Sequence, residues 1–158
     1  TAKTTSMAII IVVGGKCFIG EFIGFGGGDV VEEYILGLGL GRWSIFVIMM
    51  IICFILGMFI DWIGIVMITF PIFLPIAADL GFDKLWFVVA VAVMLQDSFL
   101  TPPFGYALFY LKGIAPVEVT IRDIYWGAIP FWILMEVGLV IVIVFPETIT
   151  WLPSIMVK

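Results

Sequence analysis

Residues Trp43 to Ala78 read WSIFVIMMIICFILGMFIDWIGIVMITFPIFLPIAA, 36 residues with a single charge, Asp61. As one helix this run would be about 54 Å long at 1.5 Å per residue. The hydrocarbon core of a bilayer is only about 30 Å thick, so the chain must turn back or leave. Two full spans need roughly 40 residues plus a turn. A turn of about four residues at Gly57–Ile60 leaves arms of about 16 residues, or about 24 Å each. Such arms favour a re-entrant helical hairpin, its tip inside the membrane, over two short, tightly joined spans. Backbone at that depth persists only where it is buried in protein or lines a water cavity, which makes the tip a functional candidate. Gly57 is the residue expected to let the chain turn. Asp61 opens the second arm, where Asp is a favoured N-cap. Direct ligation of a cation is the other role open to it, and both place it near the tip.

Past the surface loop expected at Ala78–Lys84, a second apolar run, Leu85–Leu111, carries one charge, Asp97. It is interrupted by Thr101-Pro102-Pro103-Phe104-Gly105. Two prolines remove two N–H donors, and Pro102 pushes Thr101 out of helical geometry. One half-helix is therefore expected to end near Ser98–Leu100 and another to start near Phe104. Carbonyls left at the end of the first half attract a cation, and N–H groups at the start of the second attract an anion. A ligand-free proline kink is the plainer alternative. The site expected from these patterns comprises Gly57, Asp61, Asp97, Ser98, Thr101, Pro102, Pro103 and Gly105. Thr101 is its Na⁺ ligand candidate, with backbone carbonyls near Ser98–Thr101 and Gly57.

On the amino-terminal side, Met7–Phe25 is apolar apart from Lys16 and Glu21. Those two can sit in a span only if they face protein, water or headgroups. Asp29–Arg42 shows apolar residues at helical spacing, which fits an amphipathic helix on the membrane surface or a connecting helix packed on protein. On the carboxy-terminal side, Pro116 is expected to open a short helix. Trp126–Phe145 then has the length of one span, with Glu136 its one charge. Glu136 is expected to face another helix. The tail from Thr148 is expected at the interface. Trp43, Trp86, Trp126 and Trp151 fall at block ends, as interfacial anchors do, whereas Trp62 and Trp132 are expected to pack on protein. Three organisational blocks follow: a span plus arm helix (1–42), the hairpin and broken helix (43–113), and a connecting helix, last span and tail (114–158).

The composition agrees with this class. The 158 residues are 64% apolar and 12% charged, against about 45–50% and about 25% in soluble domains. Mean hydropathy is +1.31. Intrinsic disorder is excluded. Seven basic residues against twelve acidic ones leave no basic face for nucleic acid. Cys17 and Cys53 sit in apolar runs and read as small buried hydrophobes. The absence of His removes Ser-His-Asp and Cys-His catalysis, so no enzymatic activity is expected. Basic residues divide three against three across the expected faces, so charge does not set the orientation.

Several motifs, in order, carry a family resemblance. They are Leu56-Gly57-Met58-Phe59-Ile60-Asp61-Trp62, Phe70-Pro71-Ile72-Phe73-Leu74-Pro75-Ile76, Leu80-Gly81-Phe82-Asp83, Phe99-Leu100-Thr101-Pro102-Pro103-Phe104-Gly105, Ala107–Gly113, Phe145-Pro146-Glu147 and Thr150-Trp151-Leu152-Pro153. Together they resemble the large permease subunit of TRAP (tripartite ATP-independent periplasmic) transporters, in its C-terminal part. The resemblance implies an all-α integral membrane protein, the second inverted repeat of an elevator-type transporter, with a re-entrant helical hairpin and a discontinuous transmembrane helix. It also implies Na⁺-coupled import of organic acids, C4-dicarboxylates or related hydroxy or keto acids, across the bacterial inner membrane. A periplasmic binding protein and a small membrane subunit are the implied partners. Asp97 departs from the family pattern, where a neutral residue such as Thr is expected, and so do Lys16 and Glu21. Because the pattern occurs once, the chain is expected to be part of a longer polypeptide and not to transport alone. The alternatives are a receptor-independent sodium- or proton-coupled dicarboxylate symporter and a non-transporting membrane scaffold subunit.

Overall fold

A computed structural model describes residues 2–102 and 105–156. The described residues form eight helices: α1 (Ala2–Gly24), α2 (Gly27–Gly37), α3 (Arg42–Phe59), α4 (Trp62–Asp79), α5 (Lys84–Ser98), α6 (Tyr106–Ile114), α7 (Ile121–Val144) and α8 (Glu147–Met156). The described residues include no strand. Among the described residues three helices, α3, α4 and α7, are long and apolar enough to cross a membrane, and α1 with α2, bent by 70° at their junction, makes a fourth candidate. The chain divides into two compact units, Thr1–Cys53 with Ile60–Lys84, and Phe54–Phe59 with Leu85–Lys158.

In the first unit, α1 packs on α2 and α4. The core comes from Ile45, Phe46, Met49, Met50 and Cys53 of α3 and Ile65, Phe73, Ile76 and Ala77 of α4, each set recurring at helical spacing. The start of α3 meets the segment that follows α4. Phe82 lies 5.2 Å from Trp43 and 5.4 Å from Phe46, ring centre to ring centre, and the Arg42 guanidinium sits 4.9 Å over the Phe82 ring. Two helices joined by a short break, with their far ends together, form an antiparallel hairpin.

The hairpin differs from expectation in its turn. The helix runs through Gly57 to Phe59, and only Ile60 and Asp61 interrupt it. Each arm has 18 residues, about 27 Å. Both arms are therefore long enough to cross, and length no longer separates a re-entrant hairpin from two spans. Asp61 does cap α4: its backbone is extended (φ −64°, ψ 145°) and Oδ2 accepts from Ile63 N at 3.2 Å. The helix continues through Pro71 and Pro75. Cys53 is buried as expected, but Cys17 is exposed, because it lies on the side of α1 away from the core.

In the second unit, α5 is the most enclosed helix. Trp86, Phe87, Ala90, Val91, Leu95, Asp97 and Ser98 are all buried. Trp86 is not an interfacial anchor: it is 2% exposed, and its Nε1 donates to the Val142 carbonyl of α7 at 2.9 Å. Trp126 and Trp151 are exposed, as expected of anchors, while Trp62 is exposed instead of packed on protein. The short helix expected after Pro116 is a turn closed by Val119 N on the Pro116 carbonyl. The α7 helix then starts from a capping box in which Thr120 and Asp123 satisfy each other's backbone N–H groups.

Candidate functional site

The α5 helix ends where the prolines require it to end. Its last turn tightens into i→i+3 bonds, Leu100 N to the Asp97 carbonyl (3.1 Å) and Thr101 N to the Ser98 carbonyl (3.2 Å). Thr101 Oγ1 donates to the Asp97 carbonyl at 2.9 Å, and Ser98 Oγ to the Leu95 carbonyl at 2.6 Å. A carbonyl oxygen has two lone pairs. That of Asp97 is thus filled, while that of Ser98 keeps one. The open carbonyls expected at Ser98–Thr101 are therefore engaged at Asp97 and half-engaged at Ser98, and the second Ser98 lone pair and the lone pairs of the two hydroxyl oxygens keep accepting capacity.

After the break, Gly105 starts α6 in the left-handed region (φ 49°, ψ 58°), a conformation glycine adopts without penalty. A Cβ there would lie 3.4 Å from both Leu108 and the Tyr125 ring. Its carbonyl accepts from Leu108 N and Phe109 N. Pro103 lies outside the described residues. Pro102 forms one wall of the cavity described below.

Gly57 comes to this break, though not by turning the chain. A Cβ on Gly57 would lie 2.7 Å from Ser98 Cβ, closer still to Ser98 Oγ, and 3.5 Å from Leu95 Cδ2. Glycine is what lets the last turn of α3 press on the last turn of α5. The structure thus joins Gly57, Ser98 and, through the α5 terminus, Asp97 and Thr101. Asp61 belongs to the other unit, where it acts as a cap.

Asp97 is the departure from expectation that matters chemically. Its side chain is fully buried, and neither carboxyl oxygen has a hydrogen-bond partner among the described residues. An unpaired buried carboxylate costs several kcal/mol, so a proton, a cation or a donor from beyond the described residues must accompany it. The arrangement can hold a small hard cation through oxygens: a carboxylate, two hydroxyls and one carbonyl lone pair within a few residues.

A cavity of about 240 Å³ adjoins the break. Leu100, Thr101 and Pro102 form one wall, and Tyr125, Ala128, Ile129 and Trp132 form the other. These α7 positions recur at i, i+3, i+4 and i+7, one face of a helix. Trp132 Nε1 is buried with no acceptor among the described residues. Sequence reasoning placed Trp132 on protein but did not find the cavity. The i, i+3, i+4, i+7 stripe was its one legible signal.

Fold and break define a multi-helix membrane protein with a helical hairpin and an interrupted helix. The chain belongs to the DctM component of the tripartite ATP-independent periplasmic transporters, whose family model matches residues 1–148. It is 29% identical over 128 residues to the C4-dicarboxylate TRAP transporter large permease protein of Vibrio cholerae, covering 81% of this chain and 28% of that protein. It is 33% identical over 102 residues to the sialic acid TRAP transporter permease protein of Haemophilus influenzae, 65% of this chain and 16% of the other. The Pseudomonas aeruginosa C4-dicarboxylate permease is 31% identical over 126 residues, 78% and 29% of the two chains. The chain thus spans less than a third of the length of each of these relatives. No solved structure matched it. The family is one of transporter permeases, not enzymes.

Proposed function

We propose that this chain forms the second inverted repeat of the membrane subunit of a secondary active, Na⁺-coupled importer of organic acids. In it α3–α4 is a re-entrant hairpin and α5–α6 a discontinuous transmembrane helix. The subunit works in the bacterial inner membrane with a small membrane subunit and a periplasmic binding protein, moving by an elevator mechanism. The relatives named for C4-dicarboxylate and sialic acid carry substrates of this acid class.

One observation carries the proposal. The end of α3 is pressed through Gly57 onto the end of α5, beside a buried carboxylate with no partner among the described residues. A hairpin terminus meeting an interrupted helix concentrates carbonyls, hydroxyls and helix-end charge at one place. Sodium, a hard cation, takes such oxygens. Thr101 Oγ1 and the Asp97 carboxylate are the ligands proposed from this chain, with Ser98 beside them.

Sodium titration of acid uptake by the full-length transporter tests this. Removing one oxygen ligand costs about 1 kcal/mol, so Thr101→Ala should raise the half-saturating Na⁺ concentration by about fivefold. Asp97→Asn should raise it further. Unchanged sodium dependence in both variants would remove this site.

A further inference from the structure

Among the described residues three buried side-chain polar atoms lack a hydrogen-bond partner: both carboxyl oxygens of Asp97 and Nε1 of Trp132. Two are acceptors and one is a donor. Buried polar groups in folded proteins are paired in the great majority of cases, and an orphaned one carries the full penalty of leaving water. Orphans of complementary kind within one compact unit call for a common explanation.

The helices that carry them lie side by side. Trp86, near the start of α5, donates to the Val142 carbonyl near the end of α7 at 2.9 Å. Past the end of α5, Leu100, Thr101 and Pro102 face Tyr125, Ala128, Ile129 and Trp132 in the first half of α7. The two helices therefore run antiparallel, and Asp97, one turn before Thr101, stands at the level of Trp132. Trp86 and Asp97 are about three turns apart and Asp97 and Thr101 about one, so all three share the face of α5 that looks at α7. Glu136, one turn beyond Trp132 on α7, lies within electrostatic reach of Asp97, which agrees with a carboxylate on that side. The Trp86 indole already spans the gap from α5 to the α7 backbone. The Trp132 indole has the same reach in the other direction. Its Nε1 has no exposed surface, so protein is what it can meet.

We infer that the Trp132 indole N–H donates to one carboxyl oxygen of Asp97, brought there by side-chain rotation alone, and that Trp132 is thereby the positioning residue of the cation site at the α5–α6 break. The inference rests on the transporter reading above and adds a residue of α7 to it. The carboxylate has two oxygens, and they divide the work. The one held by Trp132 fixes the side-chain torsions of Asp97 and leaves the other for the cation beside Thr101 Oγ1. A neutral N–H cancels no charge, so the cation is still required. Glu136 is the competing acceptor. It is only half-buried, whereas Asp97 is fully buried and gains more from the bond.

The test uses the full-length large subunit with isotope-labelled tryptophan, read by nuclear magnetic resonance. The Trp132 indole N–H signal is identified by its loss in Trp132→Phe or Trp132→Tyr. With Asp97 as its acceptor, that signal should shift in Asp97→Ala and stay in place in Glu136→Gln. Sodium titrated against choline should move it saturably in the wild type and not in Asp97→Ala. Sodium-dependent uptake is measured in parallel. There Trp132→Phe, which keeps a ring and removes the N–H, should raise the half-saturating Na⁺ concentration by about fivefold, the scale of one hydrogen bond. In the Asp97→Asn background the same substitution should change it by less than about twofold, because the charge it positions is gone. A Trp132 signal unmoved by Asp97→Ala overturns the inference, and so does one that follows Glu136→Gln instead. Additive effects of Trp132→Phe and Asp97→Asn on sodium dependence overturn the positioning role. An Asp97-dependent signal in a protein that takes up no acid contradicts the transporter reading and leaves the hydrogen bond standing.

Discussion

At Gly57 a single hydrogen atom decides whether two helix ends can touch. A Cβ there would lie 2.7 Å from Ser98 Cβ, so Gly57→Ala should destabilise the full-length protein by about 1–3 kcal/mol, the usual cost of overpacking. Adding Ser98→Gly removes the obstructing side chain and should restore most of the loss, which thermal unfolding of the purified variants would show. Equal destabilisation in single and double variants would mean that the contact is not made. Asp61 separates two roles by a similar pair. Asn caps a helix about as well as Asp, whereas Ala costs about 1 kcal/mol. As a cap, Asp61→Asn should keep both stability and sodium dependence, and Asp61→Ala should lose stability. A sodium shift in Asp61→Asn with stability intact would make it a ligand. The sequence marked both residues as special through local rules. It could not reveal that Gly57 serves Ser98, because that contact depends on a fold that brings distant segments together. Trp86 was misread for the same reason: its acceptor, the Val142 carbonyl, lies on another helix.

At the scale of elements, the break between α5 and α6 was the most legible feature, since two prolines and a glycine act locally whatever surrounds them. The hairpin was legible in kind, but its turn was placed too early. Glycine does not end a helix by itself, while the Asp61 cap begins the next one and so fixes the boundary. The turn at Pro116 was misread as a helix although Thr120-x-x-Asp123, a capping-box pattern, marked the start of α7. The membrane placement of the hairpin is tested by cysteine accessibility scanning. Cysteines at Arg42 and Ala78 are expected to label from the same face, because the residues flanking the hairpin meet through Trp43, Phe46 and Phe82. Free labelling of the Met58–Ile60 tip from the opposite face would make α3 and α4 full spans.

At the scale of the molecule, many large apolar side chains are exposed, and a membrane or further protein must cover them. The faces of α7 bearing Trp126, Phe131, Leu134 and Val140 are exposed, and 64% apolar composition made that class legible before any element was assigned. The transport mechanism proposed above was not legible from local rules, because the coupling it invokes rests on a contact between the ends of α3 and α5, which are distant in sequence. The most direct measurement is uptake of labelled organic acids, succinate included, by the full-length transporter reconstituted in proteoliposomes with the small membrane subunit and periplasmic binding protein proposed above. An inward Na⁺ gradient should drive accumulation of acid. The signal should vanish when sodium is replaced by potassium or when the gradient is dissipated. Uptake at the same rate and to the same level with no sodium on either side of the membrane would contradict Na⁺ coupling at the α5–α6 break.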